Sequence, residues 1–382
     1  MIKLRVRTLL MADSEAVSYF RIHIKYVSRC HPPPQPLSDQ PRTAKVAVVL
    51  PVYNTARYLR ECLDSLLAQT YQNFTVFAVN DGSSDDSGKI LEEYAKKDSR
   101  IHVINKKNGG VSSARNVALD AIEKARSGFD LICFADSDDI VTTDFIQNYA
   151  DLSVEHSADY VTCGWHQFDK KGFQLCKKTD HPIKVTDRDG AFRHAYMTGE
   201  WKGTHHWSFS YFLSNRCFGS KVVRGLRFDE TMKKGEDQDY LVRALLAVEK
   251  AVICSRRTYL YRIRASSLSH DNTLLIDDMT LFSSLLKKTQ GHPASAREGI
   301  ELHTQDLWWN SLKIVFDAKA YGEHKQLFKD AYQTLKSHQY VTPLPMKFKR
   351  RFLLFALGDS FLRLYFSRKK TSRNTELDNA FE

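Results

Sequence analysis

The chain has 382 residues, 42% of them hydrophobic and 26% charged, with a formal net charge of +11. This length holds one large domain with a substantial core, or a core domain with an accessory one, and the composition is that of an ordinary soluble globular protein. The positive charge draws the protein to polyanions (nucleic acid, anionic headgroups or phosphorylated substrates) without choosing among them.

Seven cysteines, an odd number with no CxxC pair, argue against a zinc site or a disulfide framework and for buried reduced thiols. The first twenty residues are basic, but Asp13 and Glu15 interrupt a very short apolar stretch, which makes a poor secretory signal. No run approaches the ~18 to 20 apolar residues of a spanning helix. The expected location is the cytoplasm or the cytoplasmic face of a membrane.

In chain order, residues 1–44 form an N-terminal extension that ends in the proline-rich linker His31 to Pro41. Val46 to Leu50 is a short β-branched run typical of a strand buried on both faces. Leu59, Cys62, Leu63, Leu66 and Leu67 then mark one helix face. Phe74 to Val79 reads as a second strand, and Ser84, Asp85 and Asp86 as the start of a helix with Ile90, Leu91, Tyr94 and Ala95 on its apolar side. Ile101 to Ile104 is a third strand, Ala114, Val117, Ala118, Ala121 and Ile122 a third helix, and Leu131 to Ala135 a fourth strand. This alternation predicts a mostly parallel sheet with helices on both faces, whose ligands bind beyond the carboxyl ends of the strands. The loops Pro51–Thr55, Asp81–Ser87 and Asp136–Asp139 are therefore the candidate site.

Asp136, Asp138 and Asp139 put three carboxylates into four residues at the end of an apolar strand. Such a cluster is either a solvated acidic turn or a site whose repulsion a hard cation, Mg²⁺ or Mn²⁺, relieves. Asn80-Asp81-Gly82 is either a turn or a placement of Asp81 to accept from a nucleobase N–H. In Asn108-Gly109-Gly110 to Ala114-Arg115-Asn116, glycines open a helix whose free N–H groups suit an anion. Arg115 there either meets a phosphate or carboxylate ligand or pairs with the acidic loops. Glu236 and Asp237 precede a helix, as caps or as a proton acceptor separate from the metal carboxylates.

Together with Val49 to Asn54 and Leu66 to Thr70, these motifs resemble the family 2 glycosyltransferases in order and spacing, over roughly Val46 to His270. The resemblance implies a GT-A (Rossmann-like) α/β fold: a mixed, mostly parallel sheet over residues 45–268, followed by a helical basic region, 269–382. It implies an inverting transfer from a nucleotide-sugar, most often a UDP-sugar, to a glycan or lipid-linked acceptor in surface polysaccharide synthesis. The donor would be held by Pro51, Tyr53, Asn54, Asp81, Asn108, Gly109, Arg115, Asp136 and Arg262. Asp136 and Asp138, with His270, would hold Mn²⁺ or Mg²⁺, and Asp237 would be the general base. Polymerising relatives carry a metal-ligand His beyond the Glu-Asp motif, where this chain reads Tyr259-Leu260-Tyr261-Arg262. Ser214 to Phe218 stands where many relatives have Trp-x-Lys-x-Phe. Trp201, His205, His206 and Trp207 line an acceptor pocket or pack in the core.

Near the C-terminus, Lys347, Lys349, Arg350, Arg351, Arg363, Arg368, Lys369, Lys370 and Arg373 interleave with apolar and aromatic residues. They read as one basic amphipathic helix, packed on the domain or lying on an anionic membrane. Two rival readings are a metal-dependent nucleotidyltransferase and a basic nucleic-acid-binding protein. The first lacks a glycine-rich phosphate loop after strand one. The second lacks a recognition motif, and its acidic loops would repel phosphate, so no nucleic-acid partner is expected.

Overall fold

The computed structural model describes residues 44–125, 128–168, 182–196, 213–232, 235–263, 321–337 and 346–370, with single positions between 285 and 312. The chain divides into two compact units, Met1–Ala191 with Tyr211–His270, and Phe192–Ser210 with Asp271–Glu382.

The first unit is built on a nine-stranded sheet. Its first half follows the sequence pattern: β1 (Val46–Val52), α1 (Ala56–Leu67), β2 (Phe74–Asp81), α2 (Ser87–Lys97), β3 (Ile101–Lys106), α3 (Gly110–Lys124) and β4 (Leu131–Phe134). β2 pairs with β1 and β3, and β1 with β4, all in parallel. β1 lies between β2 and β4, so Val46, Val48 and Leu50 are wholly buried, and so are Ala47 and Val49 on the opposite face. A strand covered on both faces reads as a continuous apolar run, which is why it was visible in the sequence.

The second half mixes directions. After β5 (Ile140–Val141) and α4 (Phe145–His156) come β6 (Tyr160–Phe168), β7 (Ile183–Asp187), α5 (Arg188–Tyr196), β8 (Arg216–Gly219), the single turn α6 (Ser220–Val223), α7 (Glu236–Leu246) and β9 (Lys250–Arg262). The order is β3-β2-β1-β4-β8-β6-β9-β5, with β7 also on β9. β8 runs antiparallel to β4 and β6, whereas β6 and β9 are parallel. β9 thereby carries its end, Tyr259 to Arg262, beside β5 and the loop after β4.

Two boundaries differ from the sequence reading. The second helix begins at Ser87, not at Ser84. Ser84 instead donates its N–H and hydroxyl to Asn54 Oδ1, while Asp85 Oδ1 accepts from the Ser87 N–H. The basic C-terminal segment forms two helices rather than one, and Gly358 at φ +91° separates them. Cys62, Cys133, Cys163, Cys217 and Cys254 are buried free thiols, in line with the composition.

The second unit contains α8 (Tyr321–Ser337), α9 (Met346–Ala356) and α10 (Asp359–Lys370). Its aromatic core joins Trp308 to Phe352, Phe355 and Tyr332, and Trp309 to Tyr365 and Phe366. Among the described residues no helix is long and apolar enough to cross a membrane.

Candidate active site

Because β2, β1 and β4 are neighbours, the loops that follow them meet at one edge of the sheet. The first two are tied by exchanged backbone caps. Thr55 N–H donates to Ser87 Oγ at 3.0 Å, and Ala56 N–H to Asp85 Oδ2 at 2.9 Å. Asn54, in the left-handed region at φ +50°, donates its N–H to Ser83 Oγ at 3.1 Å and accepts from Ser84 N–H at 2.8 Å. The orphan donors of one helix start are thus satisfied by the other loop.

Asp81 ends β2, and its buried carboxylate accepts from four donors of this chain. Lys106 Nζ and Gly109 N–H (3.0 Å) reach Oδ1; Gly110 N–H (2.8 Å) and Asn108 Nδ2 (3.3 Å) reach Oδ2. Asp81, Asn108 and Gly109 therefore form one clamp at the start of α3. Gly82 sits under it at φ +70°, where a Cβ would meet Asn108 N at 2.7 Å. Pro51 is part-buried on β1, and the Tyr53 ring stands 52% exposed in the loop beyond it.

The acidic loop after β4 is held from two sides. Ser137 Oγ accepts from Thr55 Oγ1 at 3.0 Å, and the Asp136 carbonyl accepts from Cys62 Sγ at 3.5 Å. From β9, the Tyr259 hydroxyl accepts the Asp136 N–H at 3.1 Å and donates to Asp139 Oδ2 at 2.7 Å. Arg262 gives its N–H to Asp139 Oδ1 (2.8 Å), Nε to the Asp138 carbonyl (2.7 Å) and a terminal nitrogen to Glu61. Its guanidinium also lies over the rings of Tyr58 and Phe168, 4.9 and 4.5 Å from their centroids. Burial, then the charges of Asp138 and Asp136, holds the Asp139 carboxyl well above the usual carboxylate range. Asp139 is thus an internal strut, while Asp136 and Asp138 remain partly exposed.

Arg115, in the second turn of α3, joins this loop to the start of α7. It donates to Asp136 Oδ1 at 3.2 Å and to Glu236 Oε1 at 2.9 Å, and lies 5.2 Å from the Phe228 ring centroid. Burial opposes its charge, but Asp136, Glu236 and Asp237 outweigh that and raise its pKa. Of the two readings of Arg115, pairing with the acidic loops is what the geometry displays. Its buried Nε makes no hydrogen bond among the described residues. Burial and the Glu236 charge push the Asp237 carboxyl up to about 7, against Arg115 and the Gln238 N–H, which favour the anion.

The structure therefore brings Arg115, Asp136 and Asp237 together, and gathers Asn54, Asp81, Asn108 and Gly109 at the neighbouring loops. Arg262 sits behind the acidic loop. His270, Trp201, His205, His206 and Trp207 lie outside the described residues. The sequence reading gives Tyr259, Glu61 and Lys106 no role at the site, and it does not pair Glu236 with Arg115. Tyr259 reaches Asp139, and Lys106 Asp81, through the pairing of β9 with β5 and of β3 with β2, while Glu61 and Glu236 enter as partners of Arg262 and Arg115.

Among the described residues no three His, Cys, Asp or Glu side chains are placed to hold a metal by themselves. A Mg²⁺-type ion needs less, because one or two carboxylates suffice when substrate phosphates complete its shell. Asp136 and Asp138 fit that smaller donor set.

A parallel β3-β2-β1-β4 sheet with an acidic loop at its carboxyl edge and an antiparallel extension defines the GT-A fold class. The chain belongs to glycosyl transferase family 2, whose family model matches residues 47–214. Glycosyltransferase GlyA of Streptococcus pneumoniae serotype 4 is 34% identical over 272 residues, covering 68% of this chain and 37% of GlyA. The minor teichoic acid biosynthesis protein GgaB of Bacillus subtilis is 29% identical over 229 residues, 58% of this chain and 23% of GgaB. The chain thus spans well under two thirds of the length of either relative. The solved S. aureus TarS 1-349 in complex with UDP-GlcNAc shares the fold at a TM-score of 0.56 and 20% identity, over 76% of this chain and 81% of that one. Asp237, Tyr259 and Arg262 lie beyond the matched segment.

Proposed function

We propose that the chain is an inverting glycosyltransferase that moves a sugar from a nucleotide-sugar, a UDP-sugar in the first instance, to a glycan or lipid-linked acceptor. The observation that carries the reading is the Asp136–Arg115–Glu236 bridge, which sets the Asp237 carboxyl, with its pKa raised to about 7, beside the acidic loop. A carboxyl in that range takes a proton from an acceptor hydroxyl far better than an ordinary aspartate at neutral pH.

Asp237 removes the hydroxyl proton as the acceptor oxygen bonds to the anomeric carbon and the bond to the diphosphate breaks on the opposite side, so the configuration inverts. Asp136 and Asp138 would hold Mn²⁺ or Mg²⁺, which when bound supplies positive charge to the departing diphosphate. Arg115 keeps Asp136 and the Asp237 loop in one arrangement. Pro51 and the exposed Tyr53 ring flank the nucleoside. The base N–H reaches Asp81 by replacing Asn108 Nδ2, the longest of its four contacts at 3.3 Å. Arg262 serves the donor by fixing the backbone of Asp138 and Asp139, and meets the diphosphate itself only by leaving Glu61.

A place in surface polysaccharide or teichoic acid synthesis is supported by the name of one relative, the minor teichoic acid biosynthesis protein GgaB. It agrees with a cytoplasmic protein resting peripherally on the membrane, where lipid-linked acceptors are found. The test is release of UDP or GDP from a panel of nucleotide-sugars, with and without Mn²⁺ or Mg²⁺. Donor-dependent, metal-stimulated release is expected, and its loss in Asp138→Ala. No release from any donor with either metal overturns the reading.

A further inference from the structure

The helical pair α9 and α10 has two apolar faces, and the described core accounts for one. Phe352, Phe355 and Phe366 pack on Trp308, Trp309 and Tyr332. On the other side of α9, Met346, Arg350, Leu353 and Leu357 recur at i, i+4, i+7 and i+11, a single stripe. Met346 is 63% exposed, Leu353 61% and Leu357 48%. Past the break at Gly358, Phe361 of α10 is likewise 51% exposed. Lys349, Arg350 and Arg363 are exposed alongside. Residues 346–370 carry eight Lys and Arg against one acid, Asp359, and that acid is paired with Lys325.

We infer that this outward face of α9 and α10 is a docking surface for an anionic lipid bilayer, with Met346, Leu353, Leu357 and Phe361 entering the interface and the flanking cations meeting lipid phosphates. The inference rests on the peripheral membrane placement proposed above, to which it gives a surface and a lipid chemistry. Helices of 11 and 12 residues are too short to span, so they lie in the plane of the membrane. The charge decides the occupant. A second copy presenting the same face would set cations against cations, whereas an anionic leaflet complements both the apolar stripe and its basic rim.

The experiment is flotation of the full chain with vesicles of phosphatidylcholine alone and vesicles in which phosphatidylglycerol replaces a third of it. Binding about tenfold tighter to the anionic vesicles is expected. Leu353→Glu with Leu357→Glu should lower it about tenfold while donor hydrolysis in solution stays unchanged. That solution assay separates failure of docking from failure of the transferase reading. If the double variant does not fold, an environment-sensitive dye on Leu353→Cys reads the same claim through a blue shift on anionic vesicles. Equal binding to both vesicle types, undiminished binding of the double variant, or no dye shift overturns the inference. So does a double variant that loses self-association but keeps its vesicle binding, because the face then joins two copies.

Discussion

Asp237→Asn separates the stability of this site from its chemistry. In the folded chain the Asp237 carboxyl is pushed up to about 7, while an unfolded aspartate titrates near the usual ~3.9. A raised acid binds its proton more tightly in the folded state. Stability is then full below the unfolded pKa and is lost as pH rises toward the folded one. At about 1.4 kcal/mol per pH unit, the wild type forfeits roughly 1.5 kcal/mol by pH 5 and up to about 4 kcal/mol by pH 8. Part exposure of the side chain brings the larger figure down toward ~2 to 3 kcal/mol. Asparagine has the same shape and no charge to lose. The variant should therefore melt about 5 to 10 °C above wild type at pH 8, with a smaller gain at pH 5. Donor-dependent transfer should fall by about two orders of magnitude or more. Thermal melts without donor or metal, paired with initial rates, provide the assay. Equal melting temperatures at both pH values would refute the electrostatic reasoning, and retained transfer would refute the role of Asp237 as base.

In the wild type, kcat/KM should rise with pH through an apparent value near 7 on its acid limb and level off above it, as expected of a base that must be ionised. An acid limb near 4 would assign the base elsewhere. Tyr259→Phe removes the hydroxyl between Asp136 N–H and Asp139 Oδ2 and leaves both groups short of a partner. A loss of about 1 to 3 kcal/mol in chemical denaturation is expected, with weaker donor binding by calorimetry. Gly82→Ala drives a Cβ to 2.7 Å from Asn108 N at a positive φ, and should destabilise by ~1 to 3 kcal/mol and raise the KM for donor more than it lowers kcat. Asp138→Ala should abolish metal stimulation of UDP release with an unchanged circular dichroism spectrum.

What the sequence revealed follows the two-faced burial of its strands. β1, β2 and β4 are covered on both faces, so Val46 to Val52 and Leu131 to Phe134 stand out as apolar runs. The loops at their ends followed from the rule for parallel sheets. Legibility ended where pairing became long-range. Leu260 and Tyr259 of β9 join Ile140 and Val141 of β5 across nearly 120 residues, and nothing local in Tyr259-Leu260-Tyr261-Arg262 announces that a hydroxyl and a guanidinium will brace Asp139. For the same reason Arg262 was assigned to the donor, since its basicity shows in the sequence and its engagement with Asp138 and Glu61 does not. For Asn80-Asp81-Gly82 the structural role is what the geometry displays, because the Asp81 carboxylate closes the start of α3.

Charge balance connects these parts. The acidic loop and its surroundings hold six carboxyls, Glu61, Asp136, Asp138, Asp139, Glu236 and Asp237, against the guanidiniums of Arg115 and Arg262. Asp139 and Asp237 are both biased toward their protonated forms. The carboxyls outnumber the guanidiniums, so the site carries an excess of acidic groups. A site with that deficit attracts a hard cation and, through it, a diphosphate. The surplus cannot be removed by making Arg115 stronger, because its two partners already share it. It can be met from outside, and an entering positive charge also lowers the cost of ionising Asp237. On the proposed reading, a bound divalent cation would favour the ionised form of Asp237, which the acceptor step needs.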